Sequence, residues 1–313
     1  MKYRVTHRTE YFYSGTVSQC HNLAHLRPRD SDRQQCLQHQ LHINPAPNDV
    51  AEHADFFGNR MSYFSIQQPH QAMTVTASSE IVLHEEAGQL PLYTDSPWDQ
   101  VRDSLATPQS AELCEQRQYV LDSPLAGAAT ELADYATASF PAGRPLLEGV
   151  GDLMQRVHTD FTYHPGFTTI STPLSEVLAS RRGVCQDFAH LAIACLRSLG
   201  LAARYVSGYL ETLPRPGQEK LQGADESHAW FSVYLPDNGW VDFDPTNNKV
   251  PLDQHVTTAW GRDYADVTPL KGIIFGGDWE DPDLRDSKEI DAYFLEHFGK
   301  KTIQADLAVT TKY

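Results

Sequence analysis

The segment 181–190, RRGVCQDFAH, contains a cysteine at a position suited to nucleophilic chemistry. Gly183 can end a helix predicted over 174–180, and a new apolar stripe then predicts a helix from about Cys185 to Leu199. Cys185 would lie in the first turn, where free backbone N–H groups and the positive end of the helix dipole favour a thiolate. The same amides can stabilise an oxyanion. Cys185 is therefore the candidate nucleophile, and a small buried apolar residue is the alternative interpretation.

Two other residues of the same predicted helix are useful contrasts. Cys195 falls in mid-helix on the apolar stripe and is predicted to belong to the core. His190 follows Cys185 along a helix of 3.6 residues per turn, in which this spacing rotates its side chain away from the thiol. We expect His190 to be structural or surface-exposed rather than the catalytic base.

A thiolate nucleophile needs a base, and the base needs an acceptor that orients it. The run 227–245 predicts a β-hairpin with its turn at 236–239. A five-residue loop would place His228 directly opposite Asp244, and opposed residues of a hairpin project from the same face. Asp244 would then fix the tautomer of His228 and leave its other nitrogen for Cys185. A half-buried strand histidine and a turn carboxylate are the alternative interpretations.

These motifs resemble those of the bacterial transglutaminase-like superfamily, which has a papain-like core and whose members are often described as cysteine proteases. The resemblance is carried by G-V-C-Q-D-F-A-H, R-Y-V-S-G-Y, H-A-W and G-W-V-x-F-D-P-T, in this order between residues 183 and 246. The run GRDYADVTPLKG, 261–272, resembles the segment that follows in this subgroup. Residues 1–85 resemble its companion N-terminal β-domain.

The resemblance assigns the nucleophile to Cys185, the base to His228 and the orienting carboxylate to Asp244. It implies attack of the thiolate on an amide carbonyl of a peptide or protein substrate, giving a thioester acyl-enzyme. We expect hydrolysis by water, as in a peptidase or amidase. Transfer to an amine, as in a protein-glutamine acyltransferase (transglutaminase), is the alternative, and a binding module that keeps the fold without turnover is a second one.

Other residues of the motifs have less specific roles. Trp230 is expected to pack beneath the site, and Tyr264 with Asp266 to position the C-terminal segment. The motifs fix the identity of Asp187 and Asp242 without assigning a role to either.

The helices and strands predicted around these residues indicate an α+β fold. Alternating apolar and β-branched runs predict a β-rich N-terminal domain over 1–85, and a Gly- and Pro-containing linker follows at 86–97. Residues 98–313 are expected to form a helical lead-in, a papain-like core and a C-terminal segment. The core is expected to pack the helix of the nucleophile on an antiparallel sheet. The strands of this sheet are predicted at 203–210, 228–235 and 240–244.

The composition limits the classes of partner. The chain has 313 residues and a formal net charge of −16, an acidic balance that argues against nucleic acid and against a polybasic membrane anchor. The 5 cysteines include no CxxC pair, which predicts no disulfide framework. The beginning of the chain has no apolar signal region, and no run approaches the roughly 18 apolar residues of a membrane span. We therefore expect a soluble, reduced, cytoplasmic protein.

No cofactor or metal is predicted. The sequence has no HExxH motif, which a zinc hydrolase of that class would need. The acidic run 278–291 could suggest calcium, but it lacks the central Gly and the terminal Glu of an EF-hand loop.

Overall fold

The computed structural model describes residues 1–84, 95–211, 227–236, 238–276 and 302–308, the last of these as backbone only. Most of the predicted linker and the acidic run 278–291 lie outside the described residues. No helix within the described part of the chain is long and apolar enough to cross a membrane.

Two four-stranded antiparallel sheets form the N-terminal region. Their strands from the first part of the chain are β1 (Lys2–Val17), β2 (Gln19–Ala24), β3 (Gln34–Asn44), β4 (Asp49–Ala54), β5 (Arg60–Ile66) and β6 (His70–Leu83). In β6 every second residue from Met73 to Leu83 is buried, as expected of a strand with one face on a core. The prediction of a β-rich N-terminal domain is confirmed.

The last strands of the chain return to these two sheets. β13 (Leu270–Phe275) pairs with β2, and β14 (Thr302–Ala308) pairs with β1. The predicted division assigned everything after residue 98 to the core and its extension. The structure instead gives the C-terminal strands to the N-terminal sheets, because they cover strand edges that would otherwise leave backbone groups unpaired.

The α-helices precede the strands of the core sheet in the chain. They are α1 (Trp98–Ala106), α2 (Ala111–Gln116), α3 (Thr130–Thr137), α4 (Leu146–Asp160), α5 (Leu174–Ser180) and α6 (Cys185–Ser198). Nearly all of α6 is buried, from Asp187 to Arg197. The buried Arg197 guanidinium donates to five acceptors, four of them backbone carbonyls, and so fastens the end of α6 to the surrounding loops.

The core sheet has the order β11-β10-β9-β12, with α6 packed against β9 and β10. Its strands are β9 (Ala203–Leu210), β10 (Ser227–Leu235), β11 (Gly239–Phe243) and β12 (His255–Gly261). The first three match the predicted strands, whereas β12 was not predicted. A short parallel pair, β7 (Thr162–Tyr163) and β8 (Arg182–Gly183), precedes α6. The predicted α+β architecture is confirmed.

All eight residues of β9 are buried because both faces of the core sheet are covered. One face meets α6, and the other meets the N-terminal region through a shared apolar cluster. The members of that cluster are Tyr3, Val5, Ile81, Leu83, Tyr209 and Val256. A hydrogen bond of 2.9 Å between the Tyr209 hydroxyl and His7 Nδ1 crosses the same boundary.

Candidate active site

The first turn of α6 presents the Cys185 thiol at the surface of a cleft. A Cβ added to Gly183 would lie 2.8 Å from the side chain of Asp187, so only glycine permits this close approach. Asp187 Oδ2 accepts hydrogen bonds from the Val184 amide (2.8 Å) and from Thr168 Oγ1 (2.6 Å). Asp187 therefore caps the helix on which Cys185 lies half-buried.

The hairpin register differs from the predicted one by two residues. Leu235 pairs with Gly239, whose φ of 81° permits a shorter loop than the five residues assumed. The prediction that His228 lies directly opposite Asp244 is therefore wrong. A shift of two residues keeps both side chains on one face, and they meet diagonally, with His228 Nε2 3.0 Å from Asp244 Oδ2.

Asp244 is fully buried and surrounded by hydrogen-bond donors. Its Oδ1 accepts from the backbone amides of Thr246 (3.0 Å) and Asn247 (3.3 Å). Besides His228, its Oδ2 contacts Asn247 Nδ2 at 2.8 Å and His255 Nε2 at 3.1 Å. These bonds fix the orientation of the carboxylate and favour its charged form.

The charges of the site follow from burial and pairing. Burial alone would lower the pKa of His228, but the attraction of Asp244 and then of the Cys185 thiolate outweighs it and raises this pKa to about 10. Burial alone would raise the pKa of Asp244, and the neighbouring His228 instead holds it well below its usual range. Burial lowers the pKa of His255 despite its bond to Asp244. The site thus contains an imidazolium, a carboxylate and a neutral imidazole.

Cys185 and His228 line the same cleft, which has a volume of about 500 Å³. The His228 nitrogen that does not contact Asp244, Nδ1, is buried, and the thiol is close enough to interact with the ring. The other lining residues are uncharged: Tyr163, Pro165, Gly166, Thr168, Val184, Gln186, Tyr205, Ser207, Ser227, Ala229 and Tyr264. The structure therefore brings the three predicted site residues together beside a cleft whose other lining residues are uncharged.

The group His228, Asp244 and His255 also has the composition of a metal site, with its ligand atoms within 4.8 Å of one another. Both Nε2 atoms lie at hydrogen-bond distance from the same carboxylate oxygen, so N–H donation from each ring accounts for the two contacts.

The two contrasting residues of α6 have the predicted roles. Cys195 is fully buried, and burial raises its pKa to about 12. His190 is buried as well, and its Nε2 accepts a hydrogen bond of 3.1 Å from the Tyr264 amide. Both are structural.

The remaining motif residues lie around the site. Trp230 is fully buried, with its ring 6.1 Å from that of His228, so it packs beneath the site as predicted. Asp242 accepts a hydrogen bond from Ser232, away from the cleft. Asp266 pairs with Arg262 at 3.0 Å within its own segment.

The contribution of His255 was missed by the sequence analysis. Its strand begins with alternating and β-branched residues, HVTT, which is a recognisable strand signal. That signal could have identified β12, but not the contact of His255 with Asp244.

The comparisons with known proteins agree with the motifs. Residues 3–82 match the family model of the bacterial transglutaminase-like N-terminal region, and residues 132–245 match that of the transglutaminase-like superfamily. An uncharacterized protein of Mycobacterium tuberculosis is 45% identical over 287 residues, which cover 88% of each chain. The protein-glutamine gamma-glutamyltransferase of Pseudomonas aeruginosa is 28% identical over 200 residues, 59% of this chain and 28% of that protein.

A solved structure supports the fold. A Cytophaga hutchinsonii chain provisionally named a cysteine protease superposes with a TM-score of 0.70 at 19% identity, covering 100% of this chain and 92% of that one. The protein therefore belongs to the bacterial transglutaminase-like superfamily, a family of cysteine-based catalysis that includes proteases and transglutaminases.

Proposed function

We propose that this protein is a peptidase or amidase that uses Cys185 as nucleophile, His228 as proton carrier and Asp244 as orienting carboxylate. One observation carries the proposal. His228 is hydrogen-bonded to the buried Asp244 and lines the same cleft as Cys185, which lies in the first turn of a helix.

The chemistry begins with attack of the Cys185 thiolate on an amide carbonyl carbon. The carbonyl π pair moves to oxygen, and the resulting oxyanion is stabilised by the first-turn amides of α6, which have no partners within the helix. Collapse of this intermediate breaks the C–N bond, and the His228 imidazolium gives its proton to the departing amine. A thioester remains on Cys185. Water, deprotonated by His228, then attacks the thioester carbon; the C–S bond breaks, and the acid is released with the Cys185 thiolate and the His228 imidazolium restored.

The cleft supports a neutral substrate segment. Its described lining contains no Asp, Glu, Lys or Arg, and three tyrosines provide flat surfaces and hydroxyl groups. A peptide backbone or a carboxamide side chain of a protein fits this chemistry. The proposed partner is therefore a peptide or protein amide.

Transfer to an amine is the second candidate, because the same acyl-enzyme can react with either acceptor. The similarity to the Pseudomonas aeruginosa gamma-glutamyltransferase favours it. The described part of the cleft offers no carboxylate that would hold a cationic amine, which favours water.

A partition experiment tests the proposal. Glutamine-containing peptides are incubated with the protein, with and without a primary amine such as cadaverine, and all products are identified by mass spectrometry. We expect hydrolysis products whose yield is unchanged by the amine and which are absent with Cys185→Ala. Amine adducts would instead establish the acyltransferase. Absence of any product, together with a Cys185 that alkylates as slowly as Cys195, would contradict both enzymes and support the binding module.

A further inference from the structure

The buried Asp244 carboxylate contacts two imidazoles through one oxygen. His228 Nε2 lies 3.0 Å and His255 Nε2 lies 3.1 Å from Asp244 Oδ2. The two histidines come from β10 and β12, which are separated in the sheet by β9. In β9, Gly208 pairs with His228 on one side and with Thr257 of β12 on the other, and a Cβ added to it would lie 2.6 Å from the ring of Trp230. A glycine at this position therefore leaves room for the Trp230 ring between the strands that carry the two histidines.

His255 differs from the other donors to Asp244 in where it is attached. Thr246 and Asn247 follow Asp244 directly in the chain, so they move with it. His255 belongs to β12, which is anchored to the opposite side of β9 from β10. Among the described contacts of Asp244, His228 and His255 are the donors that belong to other strands of the sheet. His255 therefore fixes the carboxylate relative to the sheet that carries His228.

The ring of His255 is held in place independently of Asp244. Trp230 meets it edge to face, with centroids 5.2 Å apart and planes at 83°. His255 is 6% exposed, and the charged groups that act on it are Asp244, His228 and Asp242. Because one carboxylate cannot neutralise two cations, a neutral His255 that donates from Nε2 is compatible with an imidazolium at His228.

We propose that His255 is a positioning residue, which donates its Nε2 proton to Asp244 and thereby holds the carboxylate against His228. The proposal rests on the proposed function, because the orientation of Asp244 matters for chemistry only if His228 activates Cys185.

The matched variants are His255→Gln and His255→Phe. The Gln amide nitrogen can replace Nε2 as a donor, whereas Phe keeps the ring without a donor. The rate of iodoacetamide alkylation at Cys185 is measured from pH 5 to 9 by peptide mass spectrometry, with Cys195 as internal reference. We expect His255→Phe to slow Cys185 at pH 6 by about tenfold, the equivalent of one hydrogen bond to a charged group, and His255→Gln to stay within about twofold of the unaltered protein. A pH profile of His255→Phe that superimposes on that of the unaltered protein would overturn the proposal.

A second measurement needs no substitution at position 255 and no reactive thiol. Nitrogen-15 NMR of the Cys185→Ala protein at pH 7 reports the tautomer of each histidine. We expect a neutral His255 with its proton on Nε2. A His255 proton on Nδ1 would contradict the positioning role even if a substitution at this site prevented folding. A slow Cys185 in the unaltered protein, with the expected His255 tautomer, would count against the proposed function alone.

Discussion

The cleft at the beginning of α6 and the interior beneath the rest of this helix each contain a cysteine and a histidine, but in opposite states. In the cleft, Cys185 is half-buried and the pKa of His228 is raised to about 10. In the interior, burial raises the pKa of Cys195 to about 12 and lowers that of His190 to about 4. His228 is held in its charged form, whereas Cys195 and His190 are held neutral.

The difference lies in what each imidazole contacts. His228 Nε2 faces the Asp244 carboxylate, which stabilises a cation. His190 Nε2 accepts a hydrogen bond from a backbone amide, which requires a neutral ring. A carboxylate, Asp263, is near His190 too, but its oxygens accept from the amides of Leu125 and Ala265, both at 2.9 Å. Burial alone therefore keeps these groups uncharged. A carboxylate that is hydrogen-bonded to the imidazole reverses this effect of burial.

Exchanging each cysteine for alanine should give the largest contrast. Cys185→Ala is expected to lower amide cleavage by at least about 10⁴-fold, because no other described cysteine reaches the cleft. Cys195→Ala should keep activity within about twofold while lowering the free energy of unfolding by about 1–2 kcal/mol, since its sulfur is fully buried. Peptide cleavage rates and urea denaturation check both. A Cys185→Ala protein with full activity would exclude this cysteine as nucleophile.

Replacing the two carboxylates sharpens the comparison. Asp244→Asn should lower the rate of amide cleavage by about 10²–10³-fold, because burial then lowers the pKa of His228 without the carboxylate, whose attraction is the larger of the two that oppose it. Asp263→Asn should cost about 1–3 kcal/mol of stability, because its NH₂ group cannot accept one of the two backbone hydrogen bonds, and leave the pH profile of the rate unchanged. The measurement is the rate between pH 5 and 9 for both variants. Similar profiles for the two variants would remove the distinction between these aspartates.

The smallest expected effect is on the pH dependence of the free energy of unfolding. The folded-state pKa of His228 is raised, so its contribution is complete below about 6.5 and is lost as pH rises through about 10. That of His190 is lowered, so the protein loses stability as pH falls from about 6.5 to about 4. Urea unfolding of His228→Gln and His190→Gln should give stability differences from the unaltered protein with opposite pH slopes, each on the order of 2 kcal/mol in all. Parallel slopes would contradict the two assigned states.

Local patterns predicted much of the fold because they depend on neighbours in the chain. The alternation in β6 and the apolar stripe of α6 identified both elements, and α5 begins and ends where the pattern predicted. The hairpin register was wrong because the loop length depends on the conformation of Gly239, which its identity permits but does not require. The return of β13 and β14 to the N-terminal sheets was missed because strand pairing over such sequence distances leaves no local pattern.

The sequence by itself determined the identities and spacing of Cys185, His228 and Asp244, the helix start beneath the thiol and the family. These follow from residue type and from the spacing of apolar residues, both of which can be read from the sequence. Only the tertiary structure decided that His255 joins Asp244 and that the two histidines of this site carry different charges. Burial and distance set those charges, and both arise when strands far apart in sequence meet in one sheet.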